Sequence, residues 1–256
     1  MTIGTNTGRV EPPAYPMSGD NSAQMDTSDA PALSRKKRGL ADSGELWPQF
    51  STIRISMMGM TKEQEKFTRD NINAWAPYVN LTFEFTDQYG ADVRISANNQ
   101  LFGGNTYHRT DALKIPLDKP TMEVGFLGGL NEFNAGTIMH EFGHVLGLSH
   151  EHHHPDNTLD LNMPKLQRDF WDTGRSDLAR FLFPNAPRTA PSSAYDRNSI
   201  MHYEVPSQYL NSGQPVGKNN RLSGRDVWFA HSLYPRKKEA SPPSGFRFHR
   251  FPVAYP

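Results

Sequence analysis

The sequence predicts an α+β fold, with a mixed α/β N-terminal half and a C-terminal half poor in regular structure. Three observations carry that expectation. Short apolar segments of period two recur between Ile53 and Phe126, the signature of strands with one buried face. Helical spacing behind capping residues appears between the first two of them and again near the C-terminus. Beyond residue 147 the apolar pattern breaks into short helical runs and polar stretches.

In chain order, residues 1–44 are rich in Pro, Ser, Asp, Asn and Thr and read as a flexible arm. Folding is expected to begin near Leu46 and Trp47, which gives a domain over 45–235 divided at 147/148 into two subdomains. Strands are expected around Ile53, Ile55 and Met57, around Leu81, Phe83 and Phe85, at Val93 and Ile95, and at Met122, Val124 and Phe126. Between the first two, Thr61 and Gln64 have capping-box spacing, and Phe67, Asn71, Trp75 and Tyr78 follow helical steps until Pro77 intervenes. A second helix is expected from Ala135 to Gly147. Short helices follow at PKLQRDFW and SDLARFLF, and a last one at SGRDVWFAHSLYP, where Ser223 and Asp226 form a capping box and Pro235 stops it. The basic, proline-rich tail 236–256 is expected to be disordered.

The totals exclude several classes. Lys plus Arg and Asp plus Glu are both 27, so no net field attracts nucleic acid or an anionic membrane, and neither is expected as a partner. No stretch approaches the roughly 20 apolar residues of a membrane span, and no signal peptide is visible. There is no cysteine, so any metal must be held by histidine, carboxylate or carbonyl groups.

The segment HEFGHVLGLSH, His140 to His150, supplies such a site. On a helix, His140 and His144 lie four apart on one face and can direct ring nitrogens to one point. Glu141 lies about 100° around, placed to hydrogen-bond a water at the same ion. Gly147 can adopt the left-handed conformation that ends helices and return His150 as a third ligand. Three neutral nitrogens leave one position open on tetrahedral zinc, the arrangement of a catalytic site. Residue frequencies alone would produce this pattern in on the order of 1 in 10⁴ chains.

H-E-x-x-H-x-x-G-x-x-H is the zinc signature of the metzincin proteases, and Met201 stands downstream in YDRNSIMHYE where their methionine turn belongs. Glu151 directly after His150, the run Ser199-Ile200-Met201-His202-Tyr203, and LWP at Leu46 to Pro48 resemble the astacin family, across roughly residues 45 to 235. The missing cysteines resemble microbial members.

That resemblance implies a metzincin-type fold: a twisted five-stranded mixed sheet and two long helices, then an irregular, partly helical C-terminal subdomain. It implies a zinc-dependent endopeptidase, one Zn2+ per chain, held by His140, His144 and His150. Glu141 is implied as general base, Tyr203 as a further metal ligand that swings to stabilise the oxyanion, and Met201 as an apolar floor. A protein or peptide substrate would lie extended along an edge strand within residues 105–115, and the chain would act as a monomer. An extracellular setting is favoured by the resemblance, with the cytosol left open by the sequence.

Two other readings stand beside this one. A serralysin-like metzincin also pairs a methionine turn with tyrosine, but calcium repeats are absent and Glu151 argues against it. A non-catalytic, zinc-stabilised binding module would be expected to have lost Glu141, which is present. RKKRG at Arg35 to Gly39 reads as a processing site, a nuclear-import patch or a solvated charge run; Asp20, in Met17-Ser18-Gly19-Asp20, resembles the family's latency switch or is a plain turn residue. Processing near Arg38 would deliver a new N-terminus to Glu151, as the family implies. His152, His153 and His154 are expected to sit in water on the loop after the helix.

Overall fold

The computed structural model describes residues 45–171 and 194–236. The N-terminal arm with Asp20 and Arg38, the expected helix at SDLARFLF and the basic tail beyond Arg236 lie outside the described residues.

Five strands form one sheet: β1 (Thr52–Met58), β2 (Thr82–Phe85), β3 (Val93–Asn98), β4 (Gly104–Thr106) and β5 (Met122–Gly125), in the order β2-β1-β3-β5-β4. All neighbours are parallel except β4, which runs antiparallel to β5 at the edge, with Asn105 opposite Glu123. The period-two reading holds at Ile53, Ile55, Val93, Ile95, Met122 and Val124, which are all essentially inaccessible and fall in one core, whereas Met57, Phe83 and Phe85 are only partly buried and Leu81 and Phe126 lie just outside strands.

Two helices fill that core. Helix α1 (Lys62–Ile72) starts with the expected capping box: Gln64 N–H donates to Thr61 Oγ1, and Thr61 N–H donates to Gln64 Oε1. It stops short of Trp75, and a 3₁₀ turn at Ala76–Tyr78 absorbs Pro77. Helix α2 (Glu132–Leu146) begins earlier than expected because Asn131 caps it by accepting from Asn134 N–H. α1 packs on α2, and Phe142 meets Phe83 of β2 edge to face at 5.0 Å. Trp75, fully buried, donates its indole N–H to the Met139 carbonyl of α2.

The C-terminal end of α2 is closed by contacts from across the chain. Gly147 adopts φ +102°, and the amides of Gly147 and Leu148 return to the carbonyls of His144 and Gly143. The next carbonyls, which a helix end leaves without intrahelical donors, are taken from outside: Val145 by Trp47 Nε1–H, Leu146 by Tyr234 O–H, and Gly147 by Arg109. Gly147→Ala is therefore expected to lower stability by about 1–3 kcal/mol in thermal unfolding. Its Cβ would combine a left-handed φ with approaches of 2.9 Å to Leu46 and to Arg109. An unchanged melting temperature would contradict this account.

The C-terminal half has its own small core of Leu166, Val205, Tyr209, Leu210 and Val216. Helix α3 (Met163–Trp171) contributes to it, and isolated bridges join Leu161 to Leu210 and Val205 to Val216. Helix α4 (Gly224–Leu233) carries the expected capping box at Ser223 and Asp226 and leads back to the segment just before β2. There Asn80 binds the carbonyl of Pro235 and Arg236 binds that of Val79.

Candidate metal centre and active site

His140 and His144 project from one face of α2, and the turn at Gly147 returns His150 beside them, so one ring nitrogen from each lies within 4.8 Å of the others. Backbone carbonyls set two of the tautomers. His140 Nδ1–H donates to Ile200 and His144 Nδ1–H to Leu148, each at 2.8 Å, which leaves Nε2 of both rings as a bare lone pair. His144 Nε2 faces His150 Nε2 at 3.0 Å. Burial, reinforced by the neighbouring basic groups, holds His140 down to about 4 and His144 and His150 well below the ordinary histidine range. All three are neutral donors near pH 7. Converging neutral lone pairs of this kind fit a divalent cation of the zinc type.

The methionine turn underlies the cluster. Met201 is buried with its sulfur against the backbone of Gly143, where an added Cβ would lie only 2.5 Å from Sδ. Asp226, which accepts from the N–H of the α4 N-cap Ser223 in the capping box, also accepts from Ser199 Oγ at 2.6 Å and from Ile200 N–H at 2.8 Å. One carboxylate thus joins a helix cap to the turn whose Ile200 carbonyl orients His140. Asp226→Ala would leave buried donors at Ser199 and Ile200 unmatched and remove the acceptor of the Ser223 N–H in the capping box, so a loss of about 2–4 kcal/mol is expected in denaturant unfolding. An effect below about 1 kcal/mol would show that the bracket is unimportant.

Tyr203 lies over the cluster, its ring 4.4 Å from His150 and 6.1 Å from His140. Glu141 is buried beside edge strand β4, where a Cβ on Gly104 would come within 2.8 Å of Glu141 Cγ. The structure therefore gathers His140, His144, His150, Glu141, Met201 and Tyr203 in one place.

Comparison with known proteins agrees with this geometry. Residues 127–217 match the family model of the Astacin peptidase family. The solved structure of myroilysin is 30% identical, with TM-score 0.69, over 77% of this chain and 99% of that one. The chain belongs to the astacin family.

Blastula protease 10 of Paracentrotus lividus is 23% identical over 218 residues, which is 78% of this chain and 34% of that protein. The chain therefore spans about a third of that relative's length. High choriolytic enzyme 1, a hatching enzyme zinc-protease from Oryzias latipes, is 19% identical with TM-score 0.51 over 78% of this chain and 98% of that one, a likeness of fold alone.

Against the astacin expectations, one placement is corrected. The edge strand is β4, Gly104–Thr106, so only Asn105 and Thr106 of the expected 105–115 segment belong to it. Arg109–Lys114 instead forms a 3₁₀ helix entered through Arg109 at φ +54°, held by the Arg109 bond to Gly147. Of the histidines after the motif, His152 and His154 are buried instead of solvated, with His152 stacked on Tyr203 at 4.2 Å, while His153 is half-exposed.

Glu151, raised as a family feature, takes Asp196 N–H at 2.7 Å. Burial pushes it up to about 8, and the carboxylates of Asp226 and Asp196 add to the effect.

Two residues at the site carry no sequence signal. His108 stacks face to face on His144 at 4.3 Å. Lys218 donates to Thr137 Oγ1 and sits 3.8 Å over the Phe133 ring; these α2 residues precede Glu141 by one and two turns on the same stripe. Burial lowers the Lys218 ammonium from its usual range, partly offset by Glu141 and Glu204.

Proposed function

We propose that the chain is a zinc-dependent endopeptidase that hydrolyses internal bonds of protein or peptide substrates, acting as a monomer and outside the cell. The convergence of His140, His144 and His150, with two tautomers fixed by backbone carbonyls, is the observation that carries this reading. Those three would hold one Zn2+, which when bound polarises a carbonyl and acidifies water.

The protein's own groups do the rest. Glu141, buried beside β4, accepts the proton of the attacking water and passes it to the leaving amine. Tyr203 directs its phenol toward the oxyanion that develops on the substrate. The outer edge of β4 offers backbone N–H and C=O groups to an extended peptide, so unfolded or loop segments suit the site better than compact domains. Met201 and the Asp226 bracket hold the imidazoles in place.

Chelation followed by metal return tests this reading. Removing the metal is expected to abolish cleavage of unfolded casein, and one equivalent of Zn2+ to restore it. With free zinc at about a thousand times its dissociation constant, the metal-loaded protein should be about 4 kcal/mol more stable than the stripped one. Cleavage that survives complete removal of the metal would overturn the reading.

Maturation forms part of the same proposal, with 1–44 as a removable arm, 45–235 as the catalytic domain and the tail outside it. Cleavage near Arg38 or later would supply an ammonium group to the acidic pocket of Glu151, Asp196 and Asp226. N-terminal sequencing of active protein from its source is expected to begin beyond Arg38; an active chain that retains residues 1–38 would exclude it.

A further inference from the structure

A second cluster of imidazoles adjoins the first. After His150 the chain makes a 3₁₀ turn, Glu151–His153, closed by His153 N–H to the His150 carbonyl and His154 N–H to that of Glu151. With three residues per turn, side chains three apart eclipse, so His150 and His153 face the same side. His152 is fully buried, its ring 4.1 Å from His153 and 5.0 Å from His150. One ring nitrogen from each of His150, His152 and His153 lies within 4.8 Å of the others. An all-imidazole set takes zinc, copper or nickel and has little use for calcium or magnesium.

His150 belongs to both trios. Its Nε2 already faces His144, and His152 lies on the ring of Tyr203. An ion in the second trio therefore draws on two groups next to the first. The first trio is the better prepared, because Ile200 and Leu148 fix two of its rings, whereas His153 is half-exposed and must be ordered.

We propose that His150, His152 and His153 form a second, weaker site for a divalent transition cation, and that filling it inhibits the enzyme by competing for His150. The inhibitory part rests on the endopeptidase reading above; the site itself does not.

The test uses the full chain loaded with one equivalent of Zn2+ and dialysed against rising free Zn2+, with the arm cleaved beyond Arg38 before rates are measured. Bound metal is counted by elemental analysis, and the cleavage rate of a peptide is followed in parallel. The wild type is expected to pass from one to two ions per chain and to lose activity along the second step. His153→Ala and His153→Gln should keep the first ion and the starting rate while weakening the second step and the inhibition by about tenfold or more.

A wild type that saturates at one ion overturns the proposal. So does a second ion bound equally well by wild type and both variants. A second ion that leaves the rate unchanged overturns the inhibitory mechanism. A trimmed protein inert at one equivalent would defeat the endopeptidase reading alone, because the dialysis isotherms decide the second site without any rate.

Discussion

Glu141→Gln is expected to lower kcat/KM on unfolded casein or a peptide library by about 10²–10⁴ while one zinc per chain is retained. The substitution keeps the shape that packs beside β4, where the backbone at Gly104 leaves just enough room for the Glu141 side chain. It removes only the capacity to take a proton. In transition-state terms the loss is about 3–5.5 kcal/mol, larger than any packing change at so conservative a replacement. Metal content separates this outcome from collapse of the site. Equal rates for both proteins would show that Glu141 is not the base. If both were inert with zinc bound, after any N-terminal trimming, the non-catalytic binding module would gain instead.

The same residue shows how far sequence reasoning reaches. Periodicity places Glu141 on a helix next to two histidines, because a helix converts spacing directly into angle. It does not reveal that Gly104, on another strand, limits the room beside it. Contacts made at long range in sequence leave no local pattern. The capping boxes at Thr61 and Ser223 are legible for the opposite reason, since every atom in them belongs to one short segment.

Two misplacements have physical causes. Strand β4 is only Gly-Asn-Thr, too short and too polar to show a period of two, so the sequence locates the edge only as lying within 105–115, a segment that overlaps the strand at Asn105 and Thr106. The 3₁₀ helix found there depends on Arg109 at a positive φ, a conformation that sequence reserves for glycine or asparagine and that the distant Gly147 carbonyl supports here. His152 and His154 read as solvated loop residues because they are polar. They are buried because the methionine turn folds back, its Met201 carbonyl accepting Glu151 N–H and its Tyr203 ring covering His152. His108 and Lys218 reach α2 from other elements, and neither sits in a spacing that could announce it.

Gly143→Ala should cost about 3 kcal/mol of stability and reduce activity by roughly 10²-fold, although alanine is the better helix former by about 1 kcal/mol. The argument lies in what a methyl would meet: Met201 Sδ at 2.5 Å and the Trp75 ring at 3.4 Å. Neither can retreat easily, since Trp75 is fully buried with its N–H on Met139, and Met201 stands in a turn bracketed by Ser199 and Asp226. Displacing Met201 displaces Ile200, whose carbonyl fixes the His140 tautomer, so a steric fault beneath the helix becomes a chemical fault above it. Met201→Ala alone should destabilise by about 2–4 kcal/mol through the cavity it leaves. Combined with Gly143→Ala, which half fills that cavity, the two losses should fall short of their sum by about 1–2 kcal/mol. Chemical denaturation of the four proteins, each with its zinc content measured, gives the coupling directly. Strict additivity would mean that the sulfur and the glycine do not meet, and that the floor beneath the histidines is built in some other way.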